Sequence, residues 1–333
     1  MELLKDKGAD YLIQLSRGYW LSQSLFVAHR AGIFELLAGG PMDAEEIAAH
    51  LQLDPRATTI FLTALTNLGL LTRSNDQQYY NSPLSNQYLV KGRQGYIGDF
   101  ISHTEYMKNY WEGLAEVLKS GQPLISNTYT EPDPSQLTLF IRAMEQATSL
   151  VAPEIIASLD LEGKDHLLDL GCGLAPITRL LLAQYPHPQI TLFDLPHIIK
   201  MVRDISPLLN GQGRVSYKEG DCRYEDYGDR IYDVILISQL IHMYDPETNN
   251  NIFARAYRAL RPQGCLIIHD YVLTDDNPIP WQGALFSLNM LVGTWGGRNY
   301  GWDELRSILE NLGFSGSRLK PLTGGTSLII AVK

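Results

Sequence analysis

The sequence is poor in the features that mark several classes of protein. Its 333 residues contain only three cysteines, Cys172, Cys222 and Cys265, far apart and without CxxC spacing. This argues against a disulfide framework or a structural zinc site and predicts free thiols in a reducing cytoplasm. No apolar run approaches the roughly 20 residues of a membrane span, and residues 1–10 lack the apolar core of a signal peptide. We therefore expect no membrane association.

Positive charge is also scarce. The chain has 27 Lys and Arg residues against 37 Asp and Glu residues, a formal net charge of −10. Nucleic-acid binding requires cations that neutralise phosphates, so the composition argues against it. The hydrophobic content of 45% and charged content of 19% exclude a disordered chain and are typical of a globular enzyme. At about 150 residues per domain, the length predicts two domains.

The order of patterns in residues 1–95 predicts a helical, winged-helix-like domain. Three helical patterns precede two short β-like runs, at residues 9–38, 42–51, 56–68, 70–73 and 78–81. Residues 1–100 carry ten acidic and eight basic residues, and the third helix offers only Arg56 as a cation. We therefore expect its apolar surface to bind a partner subunit rather than DNA.

The rest of the chain divides into a helical connector and an α/β domain. The connector, residues 96–160, has its clearest loop at Thr128–Ser135, and helical periodicity returns over Phe140–Ser158. From residue 161 to residue 333, short apolar runs alternate with amphipathic segments. Runs that are apolar on both faces are typical of buried parallel strands. This rhythm predicts a Rossmann-like, doubly wound sheet.

A glycine-rich turn follows the first predicted strand of this domain. The strand Leu167–Leu170 runs into Gly171-Cys172-Gly173, and a helix follows. Ligands of open α/β sheets bind at the carboxyl ends of the strands. Pro176 stands where a dinucleotide fingerprint has its third glycine, which argues against a pyrophosphate ligand. Asp169, just before the turn, fits a cationic ligand such as the sulfonium and ammonium of S-adenosylmethionine.

Acidic residues also end the next two predicted strands. Asp194 comes 25 residues after Asp169, where a carboxylate can accept hydrogen bonds from ribose hydroxyls. Asp221 ends the third strand, where a carboxylate can meet an adenine edge. Because the carboxyl ends of parallel strands share one edge, the three acids indicate a single nucleotide-binding site.

Six motifs now carry a resemblance to a known family: DLGCG, FDLP, EGDC, DVILISQLIHMYD, LRPQGCLIIHD and GGRNYGWDEL. In this order they resemble the S-adenosylmethionine-dependent small-molecule O-methyltransferases of the plant caffeic acid type and of bacterial phenazine, carotenoid and bacteriochlorophyll pathways. The resemblance covers essentially the whole chain. It implies S-adenosylhomocysteine as product, no metal, and a homodimer formed through the N-terminal domain, which lines the neighbour's active site.

The resemblance also implies which residues bind and react. The implied cofactor-binding residues are Asp169, Gly171, Gly173, Asp194, Leu195, Asp221, Cys222 and Ser238. His242 matches the catalytic base that takes the proton from the acceptor hydroxyl, and Asp270 matches the first of two carboxylates that orient this base. Asn299 stands at the second position, where an amide stabilises an imidazolium less strongly. Ser238 and Met243 replace the Lys and Asp of the plant enzymes, which argues against a plant-type acceptor.

The acceptor pocket is predicted from side chains that pack well against a flat ring. The candidates are Phe140, Met144 and Met290, with His103 and Trp111 in addition. The expected function is methylation of a hydroxyl on an aromatic or polycyclic small molecule. The sequence leaves three alternative functions open. They are methylation of carbon or nitrogen, non-methylating chemistry such as hydroxylation, decarboxylation or a pericyclic reaction, and a DNA-binding regulator that senses S-adenosylmethionine.

Overall fold

The chain folds into two compact units, Met1–Tyr106 and Met107–Lys333. The computed structural model describes residues 8–124, 133–205, 209, 213–274 and 280–333. Residues 128–132 of the predicted loop Thr128–Ser135 lie outside the described residues. The domain boundaries placed after residues 95 and 160 stay predictions.

The first unit consists of helices around a small core, with one antiparallel pair of strands. Its elements are α1 (Ala9–Ser16), α2 (Gly18–Arg30), α3 (Ile33–Leu37), α4 (Ala44–Leu51), α5 (Pro55–Asn67), β1 (Leu71–Arg73), β2 (Tyr79–Asn81), α6 (Pro83–Tyr88) and most of α7 (Gly98–Trp111). The helical pattern over residues 9–38 is divided into three helices. Gly32 adopts φ +78°, a left-handed conformation that ends one helix before the next begins.

The second unit alternates helices with strands. Its remaining helices are α8 (Leu114–Ser120), α9 (Pro134–Ile156), α10 (Pro176–Gln184), α11 (Pro196–Ile205), α12 (Pro246–Ala259), α13 (Pro280–Gly293) and α14 (Trp302–Asn311). Its strands are β3 (His166–Leu170), β4 (Gln189–Asp194), β5 (Val215–Glu219), β6 (Tyr232–Ser238), β7 (Leu260–Asp270), β8 (Val272–Leu273), β9 (Tyr300–Gly301), β10 (Ser315–Pro321) and β11 (Ser327–Val332). The edge strand β10 was not predicted.

Seven of these strands form one sheet in the order β10-β11-β7-β6-β3-β4-β5. The five strands from β7 to β5 are parallel, and β11 pairs antiparallel with β7. The chain moves outward in one direction from β3 to β5 and then returns to place β6 on the other side of β3. This confirms the predicted Rossmann-like, doubly wound sheet, with its switch point between β3 and β6.

Each face of the sheet is covered by its own hydrophobic core. Side chains of α9, α10 and α11 pack on the face that carries Leu167 and Leu236. Side chains of α12 and α14 pack on the face that carries Leu168 and Ile268. Among the described residues, no helix is both long and apolar enough to cross a membrane.

Candidate active site

The turn after β3 leaves an open cradle beside the start of α10. Gly171 and Gly173 adopt φ +75° and +52°, values that glycine tolerates at little cost. A Cβ added at Gly173 would meet no described atom within 4 Å, whereas one at Gly171 would lie 3.0 Å from Cδ2 of Leu240. Pro176 occupies the first turn of α10, where its missing N–H is tolerated. The backbone at Gly173 is therefore open to a ligand.

Asp169 is a buried carboxylate that accepts a hydrogen bond from one side chain among the described residues. The hydroxyl of Thr178, on α10, donates to its Oδ2 at 2.6 Å. Burial raises the pKa of Asp169 to about 7, with a smaller contribution from the charge of Asp194. Sequence reasoning missed Thr178, although a hydroxyl on the apolar face of α10 is a signal for such a contact. A cation placed against Asp169 would favour its charged form.

Asp194 ends β4 and accepts two backbone hydrogen bonds. The N–H of Gly173 donates to Oδ2 at 2.9 Å, and the N–H of Leu195 donates to Oδ1 at 2.8 Å. Burial nevertheless raises the pKa of Asp194 to about 6. The hydrogen bond from Gly173 therefore connects the glycine turn after β3 to Asp194, at the end of the neighbouring strand β4.

Asp221, the third acid, is already paired within the chain. Arg223 donates from Nε to Oδ1 at 3.0 Å and from Nη2 to Oδ2 at 2.6 Å. Burial alone would raise the pKa of Asp221, but Arg223 more than offsets this and holds it below the ordinary value. The neighbouring Cys222 is buried, with Sγ 3.6 Å from the Tyr244 hydroxyl. Sequence reasoning missed Arg223, which neutralises the carboxylate predicted to meet adenine.

Ser238 ends β6 at the switch point of the sheet. Its register partner on β7 is His269, and its Oγ lies 2.8 Å from Nδ1 of that ring. The Nε2 of His269 lies 3.1 Å from Oγ1 of Thr326. His269 is buried, whereas Ser238 is only half-buried.

His242 lies in a short 3-10 helix, Ile241–Met243, directly after β6. Its Nδ1 is 2.7 Å from Oδ1 of Asp270, at the end of β7, and both side chains are buried. The backbone at Gly297 lies close to the backbone of His242: a Cβ added at Gly297 would be 2.6 Å from the carbonyl oxygen of His242. The structure thus brings together the two residues predicted to act as base and orienting carboxylate.

Asn299 takes a different partner. Its buried amide donates from Nδ2 to the carbonyl oxygen of Gly283 at 2.7 Å, and its Oδ1 has no hydrogen-bond partner among the described residues. Among those residues, no hydrogen bond joins Asn299 to His242 or Asp270. Its predicted part in orienting the base stays a prediction.

An aromatic pair lies on one side of the imidazole of His242. The ring of Phe286, on α13, meets it edge-on at a centroid distance of 4.9 Å, and Tyr271 lies 4.3 Å from Phe286. Met290, four residues further along α13, is buried. Sequence reasoning missed Phe286 and Tyr271. Because α13 is apolar around most of its circumference, periodicity does not single out the residue that meets the base.

The other predicted acceptor residues are distributed over several helices. Trp111 donates from Nε1 to Oδ1 of Asn289, on α13, at 2.8 Å. Phe140 and Met144 are half-buried on α9. His103 lies on α7 in the first unit, and burial lowers its pKa to about 4. The roles of these four residues at an acceptor site stay predictions.

Comparison with known proteins identifies the family. The sequence model of the O-methyltransferase domain matches residues 112–315, and that of the O-methyltransferase dimerisation domain matches residues 13–91. The chain belongs to the O-methyltransferase family. Its first unit therefore carries a dimerisation domain, and its second unit carries the domain named for the enzymatic activity. This confirms the family and enzyme class predicted from the motifs.

Two curated relatives and one solved structure are similar over nearly the whole length of this O-methyltransferase. The 3-hydroxy-5-methyl-1-naphthoate 3-O-methyltransferase of Streptomyces sahachiroi is 33% identical, over 91% of this chain and 89% of the relative. The tetracenomycin polyketide synthesis 8-O-methyl transferase TcmO of Streptomyces glaucescens is 28% identical, over 98% and 97%. The crystal structure of human N-acetylserotonin methyltransferase in complex with SAM shares the fold, with a TM-score of 0.87, 23% identity, and coverage of 100% and 99%.

Proposed function

We propose that this O-methyltransferase methylates a hydroxyl group on an aromatic or polycyclic small molecule, with S-adenosylmethionine as methyl donor. The observation that carries the proposal is the buried His242–Asp270 pair, with 2.7 Å between Nδ1 and Oδ1. This pair sits at the same carboxyl edge of the sheet as Asp169 and Asp194. A base and a site for a cationic donor are the two components that the reaction requires.

The residues at this edge fit the donor. Burial raises the pKa values of Asp169 and Asp194, so both carboxylates favour a cationic partner. The open backbone at Gly173 leaves room beside them. Gly171, Leu195, Asp221, Cys222 and Ser238 complete the set of residues proposed to hold the donor.

His242 is the proposed general base. S-adenosylmethionine supplies a methyl group that is activated by its sulfonium, and S-adenosylhomocysteine is the product. When the Nδ1–H of His242 donates a hydrogen bond to Asp270, the lone pair on Nε2 can take the proton from the acceptor hydroxyl. The Asp270 carboxylate then stabilises the imidazolium that results. Because an ordinary phenol is a weaker acid than an imidazolium, proton transfer accompanies methyl transfer rather than preceding it.

An aromatic acceptor is supported by the surroundings of the base. Phe286 and Tyr271 form a packed aromatic pair beside His242, and a planar substrate packs well against such side chains. The two named relatives are a hydroxy-methyl-naphthoate 3-O-methyltransferase and an 8-O-methyl transferase of tetracenomycin polyketide synthesis. Phe140, Met144, Met290, Trp111 and His103 remain proposed acceptor contacts.

A homodimer is the proposed assembly. Helix α1 buries none of its residues within the chain, and Leu12 and Leu15 are more than half exposed. An eight-residue helix is only marginally stable without a packing partner. A second copy, bound through the dimerisation domain, would cover this surface. The free thiols of Cys172, Cys222 and Cys265 are consistent with the proposed cytoplasmic location.

The test is incubation with methyl-labelled S-adenosylmethionine and a panel of hydroxynaphthoates, polycyclic phenols and simple phenols. We expect label in at least one hydroxylated aromatic compound, and mass spectrometry with fragmentation should place the methyl group on oxygen. The methyl ether of the same compound serves as the control and should accept no label. Label on carbon or nitrogen, or turnover without methyl transfer, would contradict the proposal.

A further inference from the structure

A chain of three buried or half-buried polar groups crosses the sheet beside the proposed donor site. It runs from the Ser238 hydroxyl to the His269 ring at 2.8 Å and from that ring to the Thr326 hydroxyl at 3.1 Å. His269 is 1% exposed, so water does not replace either contact. Nothing in the proton transfer by His242 and Asp270 uses these groups.

The register of the sheet places these three hydrogen-bonded groups on the face that carries Asp169. Asp169 pairs with Leu236, and Ser238 follows Leu236 by two residues, so the two side chains share one face. His269 is the register partner of Ser238. The hydroxyl of Ser238 therefore stands at the carboxyl edge of β6, beside the strand that ends in the glycine turn.

The His269 ring is neutral at physiological pH. Burial lowers its pKa to about 4, although the nearby Asp270 charge acts in the opposite direction. A neutral imidazole has one N–H and one lone pair, so it donates to one hydroxyl and accepts from the other. The ring therefore determines whether the Ser238 O–H points toward Nδ1 or away from it, and hence whether this hydroxyl offers a lone pair or a proton to a ligand.

We propose that His269 is a positioning residue, which orients the Ser238 hydroxyl for hydrogen bonding to the bound methyl donor or its product. This inference rests on the proposed function. Without the contact to His269, the Ser238 side chain would rotate among three staggered rotamers, and its hydroxyl would have no fixed direction. Thr326 holds the far side of the ring and prevents it from turning away from Ser238.

Two substitutions of His269 separate positioning from simple structural support. His269→Asn places an amide near the position of Nδ1 and keeps a partner for Ser238, whereas His269→Gln reaches toward the position of Nε2 and keeps a partner for Thr326. Both replace the ring with a polar side chain of lower volume. Binding of S-adenosylhomocysteine, measured by isothermal titration calorimetry, is the readout, with thermal unfolding of each variant as the folding control.

We expect Ser238→Ala and His269→Gln each to weaken S-adenosylhomocysteine binding by about five- to tenfold, the loss associated with one hydrogen bond. His269→Asn should stay within about twofold of the unsubstituted protein. The double variant with Ser238→Ala and His269→Gln should bind no more weakly than Ser238→Ala alone, because both changes remove the same interaction. Should His269→Gln fail to fold, His269→Ala, which also removes the partner of Ser238, takes its place and should show the same loss of about five- to tenfold.

Equal losses in the Asn and Gln variants, or unchanged binding in Ser238→Ala, would overturn the positioning role. These outcomes leave the proposed function intact, because the unsubstituted protein still binds the product. Failure of the unsubstituted protein to bind S-adenosylhomocysteine would overturn the proposed function and this inference together.

Discussion

Nδ1 of His242 and Oδ1 of Asp270 lie 2.7 Å apart, although 28 residues separate them in the sequence. The parallel pairing of β6 with β7 brings the ends of these two strands together, and the short helix after β6 turns the imidazole toward the carboxylate. Both side chains are buried, so the contact is shielded from competing water. A carboxylate at this distance favours the tautomer with its proton on Nδ1, so Nε2 is the atom proposed to take the proton from the acceptor.

Replacing the proposed base tests the chemistry directly. We expect His242→Ala to lower kcat by about 100-fold or more, the usual contribution of a positioned general base. Binding of S-adenosylhomocysteine should stay within a few-fold, because His242 is not among the proposed donor-binding residues. An unchanged kcat, measured by single-turnover methyl transfer to the best acceptor, would show that another group removes the proton.

Removing the charge of Asp270, the proposed orienting residue, should also lower kcat, but by less than the loss of His242. Asp270→Asn keeps the size of the side chain but no longer stabilises an imidazolium, so we expect kcat to fall by about tenfold or more. The KM for the donor should change little. A change in the donor KM with unaltered kcat would instead assign Asp270 to donor binding. Steady-state kinetics over donor concentration separates the two results.

A methyl group on the glycine turn should block the proposed donor site without unfolding the protein. Gly173→Ala adds a Cβ in the open cradle, and we expect it to weaken S-adenosylhomocysteine binding by at least about tenfold. Gly163→Ala is the matched control, since Gly163 also has a positive φ, +66°, and an open Cβ position. Both variants carry a similar backbone strain of about 1 kcal/mol. Equal binding by the two variants, measured by calorimetry, would contradict the placement of the site.

The two acids at the proposed donor site predict how stability and affinity depend on pH. Burial raises the folded-state pKa values of Asp169 and Asp194 to about 7 and about 6, above the ordinary value near 3.8. In the ligand-free protein these groups therefore oppose folding as pH rises from about 4 through 7. A bound cation favours their charged forms, so binding should release protons.

The affinity for S-adenosylmethionine should accordingly fall as pH is lowered from 8 to 5.5. The loss should be smaller for S-adenosylhomocysteine, which lacks the positive sulfur. Calorimetry at several pH values, in buffers of different ionisation enthalpy, measures both the affinity and the protons released. Identical pH profiles for the two ligands would show that the sulfonium does not contact these carboxylates.

The exposed surface of α1 predicts the effect of charge on assembly. Introducing Leu12→Glu together with Leu15→Glu should convert a dimer into a monomer in light scattering coupled to gel filtration, because buried unpaired carboxylates are costly. Leu118→Glu, at a position 67% exposed in the second unit, is the control and should leave the dimer intact. A dimer that persists in the α1 variant would place the interface elsewhere on the dimerisation domain.

Local patterns were sufficient to predict the sheet and to propose where the donor binds. The glycine turn at Gly171–Gly173 and the acids Asp169 and Asp194 follow apolar strands directly, and the ends of parallel strands meet at one edge of the sheet. Strand β10, Ser315–Pro321, was not predicted because its polar residues lie at an exposed sheet edge. Such a strand is held by pairing with β11 rather than by a hydrophobic pattern of its own.

The amino-acid sequence alone determined the buried parallel strands of the sheet and the residues at their carboxyl ends, because these depend on periodicity and spacing within short windows. The tertiary structure decided which side chains meet. It brings the Asn299 amide onto the carbonyl oxygen of Gly283 and the ring of Phe286 onto that of His242. These contacts depend on rotamers and on the packing of elements distant in the chain. No local pattern encodes them, because each is chosen by the free energy of the whole fold.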